Sequence, residues 1–356
     1  VEKPPITPVP VNREAQSPFL KTIEAMPVTA IKPEWLDFNK QITHSKTGKA
    51  NILYVQNKDN DLFNLYYRFD IGNWNVKELG LAAQYLQFLG DDKMSAEQVS
   101  REFYNIACSF TVSPSSENTT IMVTGLQENF DKAVKLLENL ILRCKPDETA
   151  LSNLKQRILK ARADAKLSKS AITKGLNNYA IYGPKNPFNY QLTTEELNTV
   201  TAKQLTDILH NIFSYDHTVI YYGPKSLSSF TSSLKRLHNI PSSFKPAPMA
   251  VKFERLKQDK NSVLFTNYDM VQSEITWIHN GSAYDSSKVP VIELYNSYFG
   301  GGMGSLVFQV IRESKALAYS TYSVYSAPDK KENNYISVAY VGSQADKMNE
   351  AIGAMN

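Results

Sequence analysis

A hydrolytic zinc centre needs several lone-pair side chains converging on one point, most simply two histidines one helical turn apart. The five histidines are His44, His210, His217, His238 and His279, and no two stand at the i, i+4 spacing. A zinc site built from this chain alone is not expected, and each histidine reads as a surface or satisfied polar group. Nucleophile signatures are equally missing: there is no G-x-S-x-G elbow, and Cys108 and Cys144 occur in no metal or redox spacing. Cys144 follows Phe130, Val134, Leu137 and Ile141 on one helical face, which predicts a core position. The glycine run from Phe299 to Ser305 lacks the G-K-[ST] ending of a phosphate loop. Its glycines let another backbone approach closely, and Ser305 is a good N-cap for a helix from Ser305 to Ser314.

Beyond that run, Arg312 near a helix end offers a planar donor fork and Tyr319 on the following strand a phenol. Taken singly, an arginine in a last helical turn serves the helix dipole and a tyrosine on a strand packs.

The elements that must hold these residues follow from periodicity. Alternation predicts strands at Ile52 to Gln56, Leu62 to Asp70, Ser109 to Ser113 and Thr120 to Thr124. Helical spacing predicts helices over Val76 to Leu89, over Asn129 to Arg143, and after Pro146. Lys155, Arg157, Lys160, Arg162 and Lys166 fill the outer sides of the last helix and read as a solvated face, not a nucleic-acid footprint.

Sliding the chain along itself aligns Gly72 with Gly281, Gly90 with Gly300, Arg101-Glu102 with Arg312-Glu313 and Asp131-Lys132 with Asp346-Lys347. Near-constant spacing of four landmarks predicts a duplicated α+β unit, each copy an antiparallel sheet with helices packed on one face. The second copy reaches only the equivalent of Ile141, so it is expected to be short of a full unit by roughly 100 residues.

Seven prolines in the first 33 residues predict an extended strap or linker over residues 1–33, and the start at Val1 looks internal or processed. A cluster of Pro241, Pro246 and Pro248 marks a second linker over 239–260. The expected domains are therefore 34–238 and an incomplete 261–356. A net charge of +4 over 39 basic and 35 acidic residues does not point to nucleic acid or an anionic membrane, and no apolar run is long enough to span a bilayer.

The stretch Tyr298-Phe-Gly-Gly-Gly-Met-Gly-Ser-Leu-Val-Phe-Gln-Val-Ile-Arg-Glu-Ser-Lys-Ala-Leu-Ala-Tyr-Ser320 resembles the signature of the insulinase/pitrilysin family of zinc metallopeptidases, in the half that binds no metal. The resemblance implies that Arg312, Tyr319, Gly300, Gly301 and Gly302 bind a peptide held at a distant zinc, with Arg312 on its carbonyl and Tyr319 donating to the oxyanion formed when water attacks it. The first unit resembles the same family over Leu62 to Pro224, with Ala83, Leu86 and Gln87 where catalytic units carry the three ligating and basic residues of H-x-x-E-H. Both units are then inactive domains. The resemblance implies a zinc peptidase whose zinc, water and general-base Glu come from a catalytic half, on the same polypeptide or on a partner subunit, with none bound here. It also implies a peptide substrate, and for the long bacterial members a periplasmic or cell-envelope location. Two other outcomes fit the same residues: a catalytically dead assembly subunit, or a peptide-binding module with no protease partner.

Overall fold

The structure is a computed structural model that describes residues 16–356. Contacts divide the chain into two compact units, Val1–Ile42 and Thr43–Asn356. In the first, Pro18 occupies the first turn of a short helix, α1 (Pro18–Glu24), whose N-cap Ser17 accepts a hydrogen bond from the Leu20 amide. A single turn, α2 (Phe38–Gln41), follows under an Asp37 cap. The prolines of this region thus start a helix as well as extending the chain, and the earlier ones, Pro4 to Pro10, lie outside the described residues.

The unit Thr43–Asn356 contains two sheets. The larger is formed by β1 (Thr43–Thr47), β2 (Ala50–Gln56), β3 (Leu62–Phe69), β4 (Cys108–Pro114), β5 (Thr119–Leu126) and β6 (His217–Gly223), in the order β1-β2-β6-β3-β5-β4. Every pairing is antiparallel except β2 with β6, which is parallel, so the α+β class holds with one mixed pair in the sheet. Along β3 the alternation is visible in burial: Phe63, Leu65, Tyr67 and Phe69 are fully buried while their neighbours are not. Eight helices, α3 (Leu79–Leu86), α4 (Ala96–Asn105), α5 (Phe130–Arg143), α6 (Glu148–Ala165), α7 (Lys169–Tyr182), α8 (Thr194–Thr199), α9 (Ala202–Asn211) and α10 (Leu227–Leu237), complete this part of the chain, and all but α7 contribute to the core against the sheet. Fourteen-residue α5 places Phe130, Ala133, Val134, Leu137, Leu140 and Ile141 on one buried stripe, and Cys144 follows it into the core, as its spacing predicts.

The smaller sheet consists of β7 (Gln272–Ala283), β8 (Ser320–Ser326) and β9 (Asn334–Gln344) in the order β7-β9-β8, with α11 (Val289–Tyr295) and α12 (Met348–Met355). That order repeats β3-β5-β4. Val123 on β5 faces Leu65 and Phe110, and Val341 on β9 faces Ile275 and Thr321. Ser95 caps α4 by accepting the Gln98 amide, and Ser305 accepts the Phe308 amide at the start of the corresponding helix. Among the described residues, Ala107 and Ala316 are the two non-glycine residues with left-handed backbone, and each sits in the turn between that helix and the next strand. The duplication therefore extends from strand order to caps and turns. Ser95 and Ser305 lie 210 residues apart, Arg101 and Arg312 211 apart. The extra residue coincides with a π-helical stretch, Phe308–Ser314, which accommodates an insertion without breaking the helix.

Residues 239–271 contain no helix or strand, but the segment is fastened along its course. Lys245 donates to the Ser214 carbonyl, Val251 to Trp74 and Leu256 to Ile181, and Phe253 packs between Trp74 and Tyr190 with ring centroids at 5.0 and 5.5 Å. Its far end holds the second sheet through Asn280, whose amide donates to Gln258 and whose side chain donates to the Leu256 carbonyl. Lys169 of α7 pairs with Glu274 of β7 at 2.6 Å.

Candidate substrate-binding site

The glycine run is a helix-to-helix turn set against β8. A π-helical turn, Asn296–Gly300, continues α11, and Gly300 ends it so close to the strand that an added Cβ would lie 1.9 Å from the Ser323 carbonyl oxygen. Only glycine fits there. The Asn296 side chain locks the same contact from both sides, donating to the Tyr325 carbonyl and accepting the Tyr325 amide at 3.0 and 2.8 Å. Gly301 donates to the Asn296 carbonyl at 2.7 Å, and Gly302 turns the chain with a positive φ of 80°. Ser305 then donates its hydroxyl to the Gly302 carbonyl at 2.8 Å while capping the next helix. These glycines shape the scaffold. Gly300 is buried, Gly301 and Gly302 are exposed.

Arg312 lies in the π-helical stretch, next to Ile311, which is buried in the small core with Val307, Leu317 and Val341. Anchoring Ile311 sends the Arg312 side chain outward, where its guanidinium lies 4.7 Å above the Phe308 ring and 3.9 Å from Glu313. Both Arg312 and Glu313 keep nearly half of their side-chain surface in solvent, so this pair is loose and the donor fork stays available. The chain then turns through Ala316. Leu317 is buried, its amide bonded to the Ile311 carbonyl and its own carbonyl to the Ser343 hydroxyl at 2.6 Å. Tyr319 donates its amide to the Gly342 carbonyl at 3.1 Å immediately before β8, and the residue is 67% exposed. A buried pair, Ile311 and Leu317, thus holds a rigid turn that carries two outward polar side chains at its ends. Tyr298, Met303 and Leu306, from the preceding glycine-rich segment, are also exposed.

The zinc positions of the first unit are a different matter. Ala83 and Leu86 are buried in the core at 4% and 1% exposure, and Gln87 is the C-cap of α3. Two of the three positions have no donor atom and no access to solvent, so α3 does not fit a zinc ion. Among the described residues no group of three or more His, Cys, Asp or Glu is arranged to hold a metal.

Sequence reading took the histidines one at a time and missed a buried relay. His217 Nε2 and His238 Nε2 lie 2.9 Å apart, and His238 Nδ1 lies 2.7 Å from Glu138. No local signal announces it, because α5, β6 and the end of α10 are brought together only by the fold. His210 approaches Cys144 at 3.5 Å, but burial pushes that thiol up to about 12, so the pair holds no ready nucleophile. The basic face of α6 is partly structural: Lys155 donates to the carbonyls of Asn198 and Val200 and caps α8.

Residues 199–356 match the domain described as the peptidase M16 inactive domain. A curated relative from Bacillus subtilis, the uncharacterized zinc protease YmxG, is 22% identical over 75% of this chain and 64% of its own length. One from Rickettsia felis, an uncharacterized zinc protease, is 25% identical over 81% of this chain and 70% of its own. A Helicobacter pylori relative, 23% identical over 79% of this chain and 66% of its own, is described as a non-peptidase homolog. The chain thus spans about two thirds of these relatives' lengths. Among solved structures, a peptidase M16 inactive domain from Pseudomonas fluorescens superposes with a TM-score of 0.67 at 16% identity, over 88% of this chain and 76% of that one. The periplasmic protease PqqL from Escherichia coli gives 0.70 at 14% identity, over 96% of this chain but 41% of its own. At such identities the structures establish the shared fold. Residues 199–356 thus carry the match to the peptidase M16 inactive domain, and the chain resembles proteins named zinc proteases.

Proposed function

We propose that this chain is the non-catalytic, substrate-binding part of a zinc metalloendopeptidase. Its Arg312 and Tyr319 orient a peptide and stabilise the oxyanion at a zinc centre supplied by another half of the same polypeptide or by a partner subunit. The observation that carries this reading is the Ile311–Leu317 anchor, which fixes both side chains on one short turn with their polar ends free. Arg312 would hold the substrate carbonyl and Tyr319 would donate its phenolic proton to the developing charge. The domain arrangement expected from the sequence, with 34–238 and 261–356 as two peptidase-like domains about a 239–260 linker, belongs to the same reading. Similarity to a periplasmic protease supports a periplasmic or envelope location.

The test is the zinc content and peptidase activity of the native protein purified from its source. A zinc-bearing species that cleaves a quenched fluorogenic peptide is expected, with kcat/KM falling about a hundredfold or more in Arg312→Ala and Tyr319→Phe while zinc stays bound. Unchanged turnover in both variants would refute the assigned roles. A zinc-free, inactive species would favour the second reading, a catalytically dead assembly or binding protein, for which the non-peptidase relative is the supporting observation.

A further inference from the structure

Away from the Arg312–Tyr319 turn, a cleft of about 800 Å³ opens between the end of α3, the outer face of α4 and the first turns of α6. Its size is that of a small-ligand or short-peptide site. The floor is apolar, with buried Leu154 beside partly exposed Phe88, and Tyr104 stands 84% exposed on the rim. Ser100, Asn153 and Gln87 supply neutral hydrogen-bonding groups on the walls.

The charges decide what such a cleft would take. Its ionised groups are Glu97, Arg101 and Arg157. Glu97 is already satisfied by Arg101, one helical turn on, at 2.7 Å. Among the described residues Arg157 has no carboxylate partner. Its guanidinium lies over the Phe88 ring, 5.6 Å from the centroid, a cation–π contact. The cleft is therefore left with one uncompensated cation above an apolar floor, a combination complementary to a carboxylate flanked by apolar side chains.

We propose that the α3–α4–α6 cleft binds an acidic peptide. An extended segment sets one carboxylate on Arg157 and an adjoining apolar side chain against Phe88 and Leu154. This would be an anchoring site in the first unit, separate from the turn in the second, and it requires no zinc.

Fluorescence anisotropy of a fluorescein-labelled hexapeptide, Gly-Leu-Glu-Phe-Leu-Gly, titrated with the full 356-residue chain, tests it. Saturable binding is expected, weakened about tenfold by Arg157→Ala and by replacing the peptide's Glu with Gln, and weakened severalfold by Tyr104→Ser. Arg157 and Tyr104 are exposed, and the Gln peptide uses unaltered protein, so a folding defect cannot imitate the result. Equal affinity for the Glu and Gln peptides, no saturable binding up to about 1 mM protein, or a loss caused by Arg312→Ala and not by Arg157→Ala would each overturn the proposal. The last outcome would move the peptide to the second unit and leave the reading of Arg312 and Tyr319 intact.

Discussion

His217 and His238 face each other through their Nε2 atoms at 2.9 Å, and the outer nitrogens fix which of the two carries the proton between them. His217 Nδ1 lies 2.8 Å from the Tyr215 carbonyl, which can only accept, so that nitrogen is the donor and Nε2 of the neutral ring must accept from His238. His238 Nδ1 then meets Glu138 across 2.7 Å with one proton to share. A second proton on His217 would set two N–H groups head to head inside the core.

This relay predicts acid sensitivity. Burial lowers the His217 pKa from 6.5 to about 4, against a smaller opposing effect of the Tyr215 carbonyl and with added repulsion from His238. A folded pKa below the unfolded one means that the unfolded chain binds more protons between pH 6.5 and 4, so stability is full above that window and is lost as pH falls through it. The loss should approach about 3 kcal/mol. Melting temperatures measured from pH 7 to pH 4 should fall steeply, and His217→Gln should flatten the slope even though it lowers stability at pH 7. A wild-type profile flat across the window would show that His217 takes up its proton as readily folded as unfolded.

The two left-handed alanines predict gains. An L-residue with a side chain pays roughly 1 kcal/mol in this conformation, which glycine avoids. Ala107, with φ of 47°, and Ala316, with φ of 49°, each follow a helix and precede a strand. Ala107→Gly and Ala316→Gly should each stabilise by about 0.5–1 kcal/mol, read as a higher urea midpoint with unchanged slope. Destabilisation by both would mean that the alanine methyl groups make contacts worth more than the strain.

What could be read from the sequence was what local pattern encodes. Alternation located β2 and β3, the helical stripe located α5 with Cys144 behind it, and the spaced landmarks revealed the duplication. Val76 to Leu89 was read too long as a helix, because residues 72–77 form a turn in which Asn75 holds the Gly72 amide and the Pro248 carbonyl. The helix α4 escaped notice although Ser95 and Gln98 form a capping box at its start. The position of β6 was beyond local reading altogether. It returns after some 90 residues of helix and loop to lie between β2 and β3, parallel to one and antiparallel to the other, and only the completed sheet selects that slot. Arg312 and Tyr319 are singled out by type and spacing alone, while the Ile311–Leu317 anchor that turns them outward is a matter of packing.

The glycines of the turn should rank by their surroundings. Gly300→Ala drives a methyl group into the Ser323 carbonyl, backbone against backbone, and should cost about 2 kcal/mol or more, with faster hydrogen exchange along β8. Gly302→Ala meets open space but keeps a positive φ, costing about 1 kcal/mol. Gly304→Ala meets neither obstacle and should be close to neutral. If Gly304→Ala proved as harmful as Gly300→Ala, the close approach to β8 would not be what the run is for.

Both thiols should be silent in the folded chain. Cys144 is 1% exposed and burial pushes its thiol up to about 12, while burial also raises that of Cys108. The reactive species is the thiolate, and at pH 8 a thiol titrating near 12 holds roughly one part in ten thousand in that form, before access is counted. An aromatic disulfide reagent at pH 8 should therefore release almost no chromophore from native protein and two equivalents in concentrated urea. The same two equivalents should appear in native buffer only at the rate of global or sub-global opening, so protection of Cys144 reports on the α5 core. Prompt reaction of one thiol in native protein, with Cys144 identified by peptide mapping, would mean that the end of α5 opens independently of the sheet beneath it. The contact with His210 would then have to be reconsidered as activating that sulfur.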